Sequence, residues 1–456
     1  MKNRFFVIVF IALIVSVSLV SCTQTSSGTS NITNNTNPGP GPGPGSGHGP
    51  GPSQGSDSIT YSGTVEISGS DSQSGQTYAS TTTDVSALLI STSEAVTIEN
   101  PTVTKSGSSN GGDNCNFYGL NAAVLVKDRS TTTITGGTIT SDASGANGVF
   151  SYGGNGGKNG ASGDGTTVII SDTVITTTGS GSGGIMTTGG GVTIASNLTV
   201  TTSGQSSAAI RTDRGGGTVT VNGGTYTSNG LGSPAIYSTA DITVENATLV
   251  SNLSEGVCIE GKNSITLVNC DLSANNTKCN GNAKFLDTIM IYQSMSGDAD
   301  SGTSSFTMTG GKLTSNKGHV FHVTNTNAVI NLNNVTIVNN DGNVLLSVCA
   351  DGWNGASNIA TLNASGQTLS GTILVGSDST FTLNLKDNSI FTGSFSGSIS
   401  NASGASVSTS IGQVSVTIES GSTWTLTADT YVTSFTNNGT LNRNGYTLYV
   451  NGVALQ

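Results

Sequence analysis

Apolar and polar residues alternate along most of this chain, the pattern of strands that bury one face. Nine rows repeat it: VTIENPTVT from Val96, TTITGGTIT from Thr132, VIISDTVIT from Val168, VTIASNLTV from Val192, VTVNGGTYT from Val219, ITVENATLV from Ile242, ITLVNCDLS from Ile265, FTMTGGKLT from Phe306 and INLNNVTIV from Ile330. Each row is a strand, a turn residue at the fifth place, and a second short strand. The fifth place holds Asn100, Gly136, Asp172, Ser196, Gly223, Asn246, Asn269, Gly310 and Asn334. Most of these types accept a left-handed backbone at a tight corner. Asparagines stacked at that corner are expected to hydrogen-bond along the axis.

A second row precedes the first in most repeats, as in SALLIST (Ser86), AAVLVKD (Ala122), SAAIRTD (Ser207) and EGVCIEG (Glu255). Its middle residue is large in most repeats: Leu89, Leu125, Phe150, Met186, Ile210, Ile236, Cys258 and Met290. That column is expected to face inward and stack on itself. Rows recurring at 23-residue (Val219 to Ile242) to 41-residue (Ile265 to Phe306) steps describe coils of three strands, with loops inserted in the longer ones. GSSNGGDNCNFYG after Ser106 and GGNGGKNGASGDG after Tyr152 are two such insertions. The fold expected is all-β: a single-stranded right-handed parallel β-helix of about 13 coils spaced ~4.8 Å apart, spanning residues 58–456. Trp424, Tyr431, Tyr446 and Tyr449 are expected to supply a C-terminal cap, which a solenoid needs to cover its open strand edges.

The first 57 residues break the pattern. Lys2 and Arg4 precede an apolar run from Phe5 to Val20, which marks residues 1–21 as a signal peptide. The run ends in Leu19-Val20-Ser21-Cys22, which resembles the lipobox of bacterial lipoproteins. The resemblance implies lipidation at Cys22, and Thr23 after it points to outer-membrane or surface display. Residues 22–57 carry repeated Pro-Gly and no apolar period, so they are expected to be a disordered tether reaching up to ~100 Å. The membrane is expected to be touched only through this anchor.

Charge narrows the partners. Only 9% of the 456 residues are charged and the formal net charge is -11, so no basic stripe exists to hold nucleic acid. No cofactor or metal set stands out. Asp298 and Asp300 form a DAD loop short of a calcium motif, and His319 and His322 flank Phe321 without a third ligand. After Cys22 five cysteines remain, Cys115, Cys258, Cys270, Cys279 and Cys349; an odd number cannot pair fully, and Cys270 and Cys279 lie close enough in sequence to bridge a loop. The one concentration of charge and aromatics is Arg211, Asp213, Arg214, Tyr237, Glu260, Lys262 and Tyr292, at equivalent places in successive rows. These residues are expected to line one face, either as a sugar or peptide site or as a surface ladder of ion pairs.

With its Asn-containing turn the body resembles the right-handed β-helix of the pectate-lyase superfamily, over roughly residues 58–456. Phrases such as GGIMTTGGG, AAIRTDRGGG and NGYTLYVNGVAL are similar to exported bacterial β-helix proteins loosely called adhesin-like. Together these imply a monomeric, lipid-anchored surface protein binding host or environmental glycans or matrix ligands. Two alternatives stand beside it. One is a polysaccharide lyase or glycoside hydrolase on the same face, although no row pairs carboxylates on adjacent strands as a glycosidase needs. The other is an ice-binding protein, because Thr-x-Thr rows such as Thr133-Ile134-Thr135 and Thr138-Ile139-Thr140 can order water, with Glu245, Asp271 and Lys312 interrupting later rows.

Overall fold

The structure is a computed structural model describing residues 59–155, 162–279 and 281–456. The expected signal peptide, Cys22 and the expected tether lie outside the described residues, as does the centre of the insertion after Tyr152. From Gly63 onward the chain climbs as a right-handed parallel β-helix. Its three main sheets have 13, 14 and 10 strands, and every neighbour within them is parallel. We call them sheets A, B and C, in the order in which each coil meets them.

Alternation builds B and C as expected. In sheet B, Val96 and Ile98 face inward and align with Thr132 and Ile134, then with Val168 and Ile170. In sheet C, Tyr78, Val103, Ile139, Ile175, Val200, Tyr226, Leu249, Leu272 and Leu313 form an inward column. Two residues further on, Thr177, Thr202 and Ser228 also face inward, and each donates its hydroxyl to the carbonyl five residues later, at 2.5, 2.5 and 2.6 Å. Small hydroxyl residues thus tie down the turn leaving sheet C where an apolar side chain would leave a buried carbonyl unpaired.

The corner between B and C is left-handed at Asn100, Gly136, Asp172, Gly223, Asn246, Asn269, Gly310 and Asn334. One row departs: Asn197 takes the corner, not Ser196. The strand Gly191–Ser196 is shifted by one residue, so that Val168 aligns with Thr193. Thr193 and Ala195 therefore face inward and Ile194 is exposed. The inward Thr193 hydroxyl is satisfied by Thr187 at 2.6 Å, which makes the polar register affordable. After the Asn100 corner the next coil has room only for glycine. A Cβ on Gly136 would sit 2.3 Å from Asn100 Oδ1, because that side chain folds over the next coil. At the corner Asn246 donates along the axis to Asn222 of the preceding coil (3.1 Å), and a longer asparagine ladder runs on the outer face of sheet B, where Asn384 donates to Asn363 (2.8 Å) and Asn363 to Asn331 (2.9 Å).

Sheet A corrects the expected inward column. Leu89, Leu125, Phe150, Met186, Cys258 and Met290 share one register with Arg211 and Tyr237, and that column faces outward. The inward column is Leu88, Val124, Val149, Ile185, Ile210, Ile236, Val257 and Ile289. The outward side chains are nevertheless buried, because inserted segments cover them. Phe117 and Tyr118, from the helix Asp113–Tyr118, pack on Leu89, Leu125, Phe150 and Met186. Ala283 and Trp353 pack with Tyr237, Cys258, Met290 and Tyr292, and Phe285 and Ile399 pack with Leu374. Sheet A is thus sandwiched between the helix core and a side lobe.

At the C-terminal end, Trp424 is fully buried between Phe391, Phe395 and Phe435 and donates its indole N–H to Gly393 O at 3.0 Å. The tyrosines lie outside: Tyr431 stacks on Tyr449 at 4.6 Å, and Tyr431 and Tyr446 are exposed. Leu448–Val450 and Val453–Ala454 end the described chain as an antiparallel hairpin. All five described cysteines are free thiols, so no Cys270–Cys279 bridge forms, and Cys258 sits in the outward column.

Candidate functional site

Six of the seven sequence-predicted site residues come together on the outer face of sheet A, beneath the lobe. The short strands Ile210–Thr212, Ile236–Ser238, Val257–Glu260 and Asp287–Tyr292 stack there in parallel. They carry Arg211, Tyr237, Glu260 and Tyr292, while Asp213 and Arg214 follow the first of them. Lys262 stands apart: it is exposed and pairs with Asp300 at 3.0 Å.

The cluster is a closed polar network. Arg211, only 2% exposed, bonds Asp213 at 2.7 Å and Asn116 and Ser206 O at 3.3 Å each. Arg214 donates twice to Asp298, at 2.7 and 3.1 Å, and lies 4.1 Å over the Phe117 ring. Glu260 accepts hydrogen bonds from Tyr237 (2.6 Å), Tyr292 (3.1 Å) and Ser294. Ser296 links Glu260 to Asp298, at 3.4 and 2.9 Å. Burial, opposed by the Arg211 guanidinium, pushes the Asp213 carboxyl up to about 7. Burial also raises Glu260, against the hydroxyls that bond it, and raises the phenols of Tyr237 and Tyr292 well above their usual range. Both terminal nitrogens of Arg211, the Arg214 guanidinium and both oxygens of Glu260 point at other groups of the same chain. The network ties the loop bearing Asp298 and the helix bearing Asn116 to the coils beneath, and the two acids at its centre are covered.

Sequence reasoning missed a second set further along the same face. Ser347 Oγ lies 2.6 Å from His322 Nδ1 and 2.8 Å from His319 Nδ1, and His322 Nε2 lies 3.2 Å from Asp351 Oδ2. Backbone N–H groups of Lys284 and Gly352 hold the other Asp351 oxygen at 2.5 and 2.6 Å. Ser347 Oγ thus bridges the two imidazoles, while His322 Nε2 and Asp351 Oδ2 are buried facing each other without a hydrogen bond. Ser, His and Asp so placed have the composition of a nucleophile, base and orienting acid. Ser347 and His322 are fully buried, however, and Phe285 lies 4.7 Å from the His322 ring. The adjacent cleft of about 260 Å³ is lined by His319 instead. Burial and the neighbouring His322 hold His319 down at about 3, so it is neutral at ordinary pH. The spacing of Ser347 and Asp351 gave no signal, since both lie in an ordinary row and its following loop.

A further cleft of about 360 Å³ lies between the helix segment and the turns of the coils, lined by Ser109, Cys115, Asn116, Ser144 and Ser206 among others. No described group of three or more His, Cys, Asp or Glu residues is arranged to hold a metal ion. Fold and site together define a parallel β-helix with a built side lobe. No family model matches the chain, and no curated protein is similar to it.

Proposed function

We propose that this chain is an adhesin-like surface protein of bacterial type, exported, lipid-anchored at Cys22 and held off the membrane by its Gly/Pro tether. In this reading a monomeric pectate-lyase-like β-helix is the scaffold, and the lobe over sheet A presents the surface that meets host or environmental glycans or matrix ligands. One observation carries it. Segments far apart in sequence gather on one sheet face and are fastened to each other and to the coils, as Arg214 fastens Asp298 across 84 residues and Lys284 O accepts from Ala402 N at 2.9 Å. Such fastening makes an ordered, non-repeating surface on an otherwise regular rod. Ligand contact then belongs to the outside of the lobe, because Arg211, Asp213, Tyr237, Glu260 and Tyr292 support it from beneath.

The test is a glycan and matrix-protein binding screen on residues 58–456, with the gene deleted in parallel. The expected result is binding to at least one ligand and weaker attachment of the deleted strain. Failure of both contradicts the proposal. A second reading, an enzyme of the same face, has the Ser347–His322–Asp351 set in its favour. Incubation with pectin, alginate and host glycans, followed for new reducing or unsaturated ends, together with fluorophosphonate labelling of Ser347, tests it. A buried Ser347 is expected to stay unlabelled.

A further inference from the structure

The outer face of sheet C is not covered by the lobe, and its side chains form a two-dimensional array. Along the first outward column stand Thr77, Thr102, Thr138, Val174, Thr199, Thr225 and Thr248, aligned strand to strand without a slip. Two residues further on stand Ala79, Thr104, Thr140, Thr176, Thr201, Thr227 and Val250, in the same register. Seven successive rungs thus carry two columns of threonine, broken only by Val174, Ala79 and Val250. No charged side chain stands in either column until Asp271 and Lys312, in the next two rungs. Glu245, which in sequence interrupts the pattern, belongs to sheet B.

The hydroxyls are free for solvent. Among these threonines Thr140 donates to Val103 O at 3.1 Å, while the other ten have no side-chain partner among the described residues. Parallel pairing spaces the rungs by ~4.8 Å, and the two-residue step along a strand spaces the columns by ~6.7 Å. A β-branched side chain is stiff at χ1, so the array is fixed before anything binds. Each threonine also offers a methyl beside its hydroxyl, and Val174, 43% exposed, keeps the methyl where it lacks the hydroxyl. An uncharged, pre-ordered lattice of hydroxyls and methyls with these two repeats is close to the oxygen spacing on the faces of ordinary ice. Sheet B lacks the feature. Its central outward column contains Ile169 and Ile194 among its threonines, and Glu99, Asp241 and Glu245 flank it.

We propose that the threonine face of sheet C, from Thr77 to Val250, binds the surface of ice. Water is held in register by the hydroxyl columns and caged over the methyls, so the face adsorbs to a growing crystal and slows its growth. This function is separate from ligand binding by the lobe and does not depend on it.

The test uses the exported protein carrying Cys22→Ser, with ice recrystallisation and thermal hysteresis as readouts. Thr140→Tyr and Thr201→Tyr place a bulky ring in the middle of the face without touching the core, and tyrosine is well accepted in strands. Thr220→Tyr, outward on sheet B, is the control, and circular dichroism checks that all three fold. The expected result is measurable inhibition by the starting protein, loss of most of it in Thr140→Tyr and Thr201→Tyr, and retention in Thr220→Tyr. No inhibition by the starting protein, or equal loss in all three variants, overturns the proposal. Pelleting with crystalline cellulose or chitin in the absence of any effect on ice overturns it too, in favour of a crystalline glycan ligand.

Discussion

Arg211→Met is expected to lower the free energy of unfolding by ~3–5 kcal/mol at pH 8, because removing one partner leaves a buried charge uncompensated. Asp213 is that charge, and Arg211 is the guanidinium bonded to it at 2.7 Å. The loss should shrink as pH falls. Burial has already raised the Asp213 carboxyl from 3.8 to about 7, so at pH 5 it is largely protonated and no longer needs the cation. The sign in the unsubstituted protein follows from the same shift. An acid raised on folding binds its proton more tightly in the folded state. Its contribution is fully present below the unfolded value of 3.8 and is lost as pH rises through about 7. A shift of this size corresponds to ~4 kcal/mol across that window. Glu260 and Asp287, both raised by burial, act in the same direction. His319 acts in the opposite one below its ordinary 6.5, since it must stay neutral to remain folded. Stability should therefore rise from pH 8 towards pH 6.5, and Asp213→Asn should remove much of that rise. Urea unfolding at both pH values measures it. An Arg211→Met loss that is the same at pH 5 and pH 8 would show that Asp213 does not titrate as stated.

Trp424→Ala is expected to cost ~3–5 kcal/mol, the usual range for emptying a large buried aromatic site. The cavity would open among Phe391, Phe395 and Phe435 and leave Gly393 O without its indole donor. In a solenoid each coil contacts mainly its neighbours, so the loss should be local. Hydrogen exchange should accelerate from about residue 390 to the C-terminus and stay slow in the coils before residue 300. Uniform acceleration along the whole rod would show instead that the coils unfold as one unit.

Much of this architecture was legible because sheets B and C each have one wet face. Polar Thr and Ser outside and Val, Ile and Leu inside fix which way each strand points. Sheet A offers no such cue. Leu88-Leu89-Ile90 and Ile289-Met290-Ile291 are apolar on both faces, so periodicity cannot separate the core side from the lobe side. The row from Val192 turns at Asn197 and not at Ser196 for a related reason. Its apolar residues suggest Val192 and Ile194 inside, but the left-handed Asn197 and the Thr187–Thr193 hydrogen bond set the other register. The candidate residues were found by their charge, yet their burial was not foreseeable. It depends on Phe117, Trp353 and Asp298, which reach them from insertions with no periodic signature.

Cys258 gives the most direct test of the central claim, that the lobe seals the outer face of sheet A. It lies in the outward column between Tyr237 and Met290. An uncovered face would expose its thiol. Under the lobe it is fully buried, and burial, with Glu255 nearby, raises it well above an ordinary thiol. Native-state labelling with a maleimide, read by mass spectrometry peptide by peptide, should modify Cys258 no faster than the protein unfolds globally. Modification at the rate of an exposed thiol, with the fold intact, would contradict a sealed face.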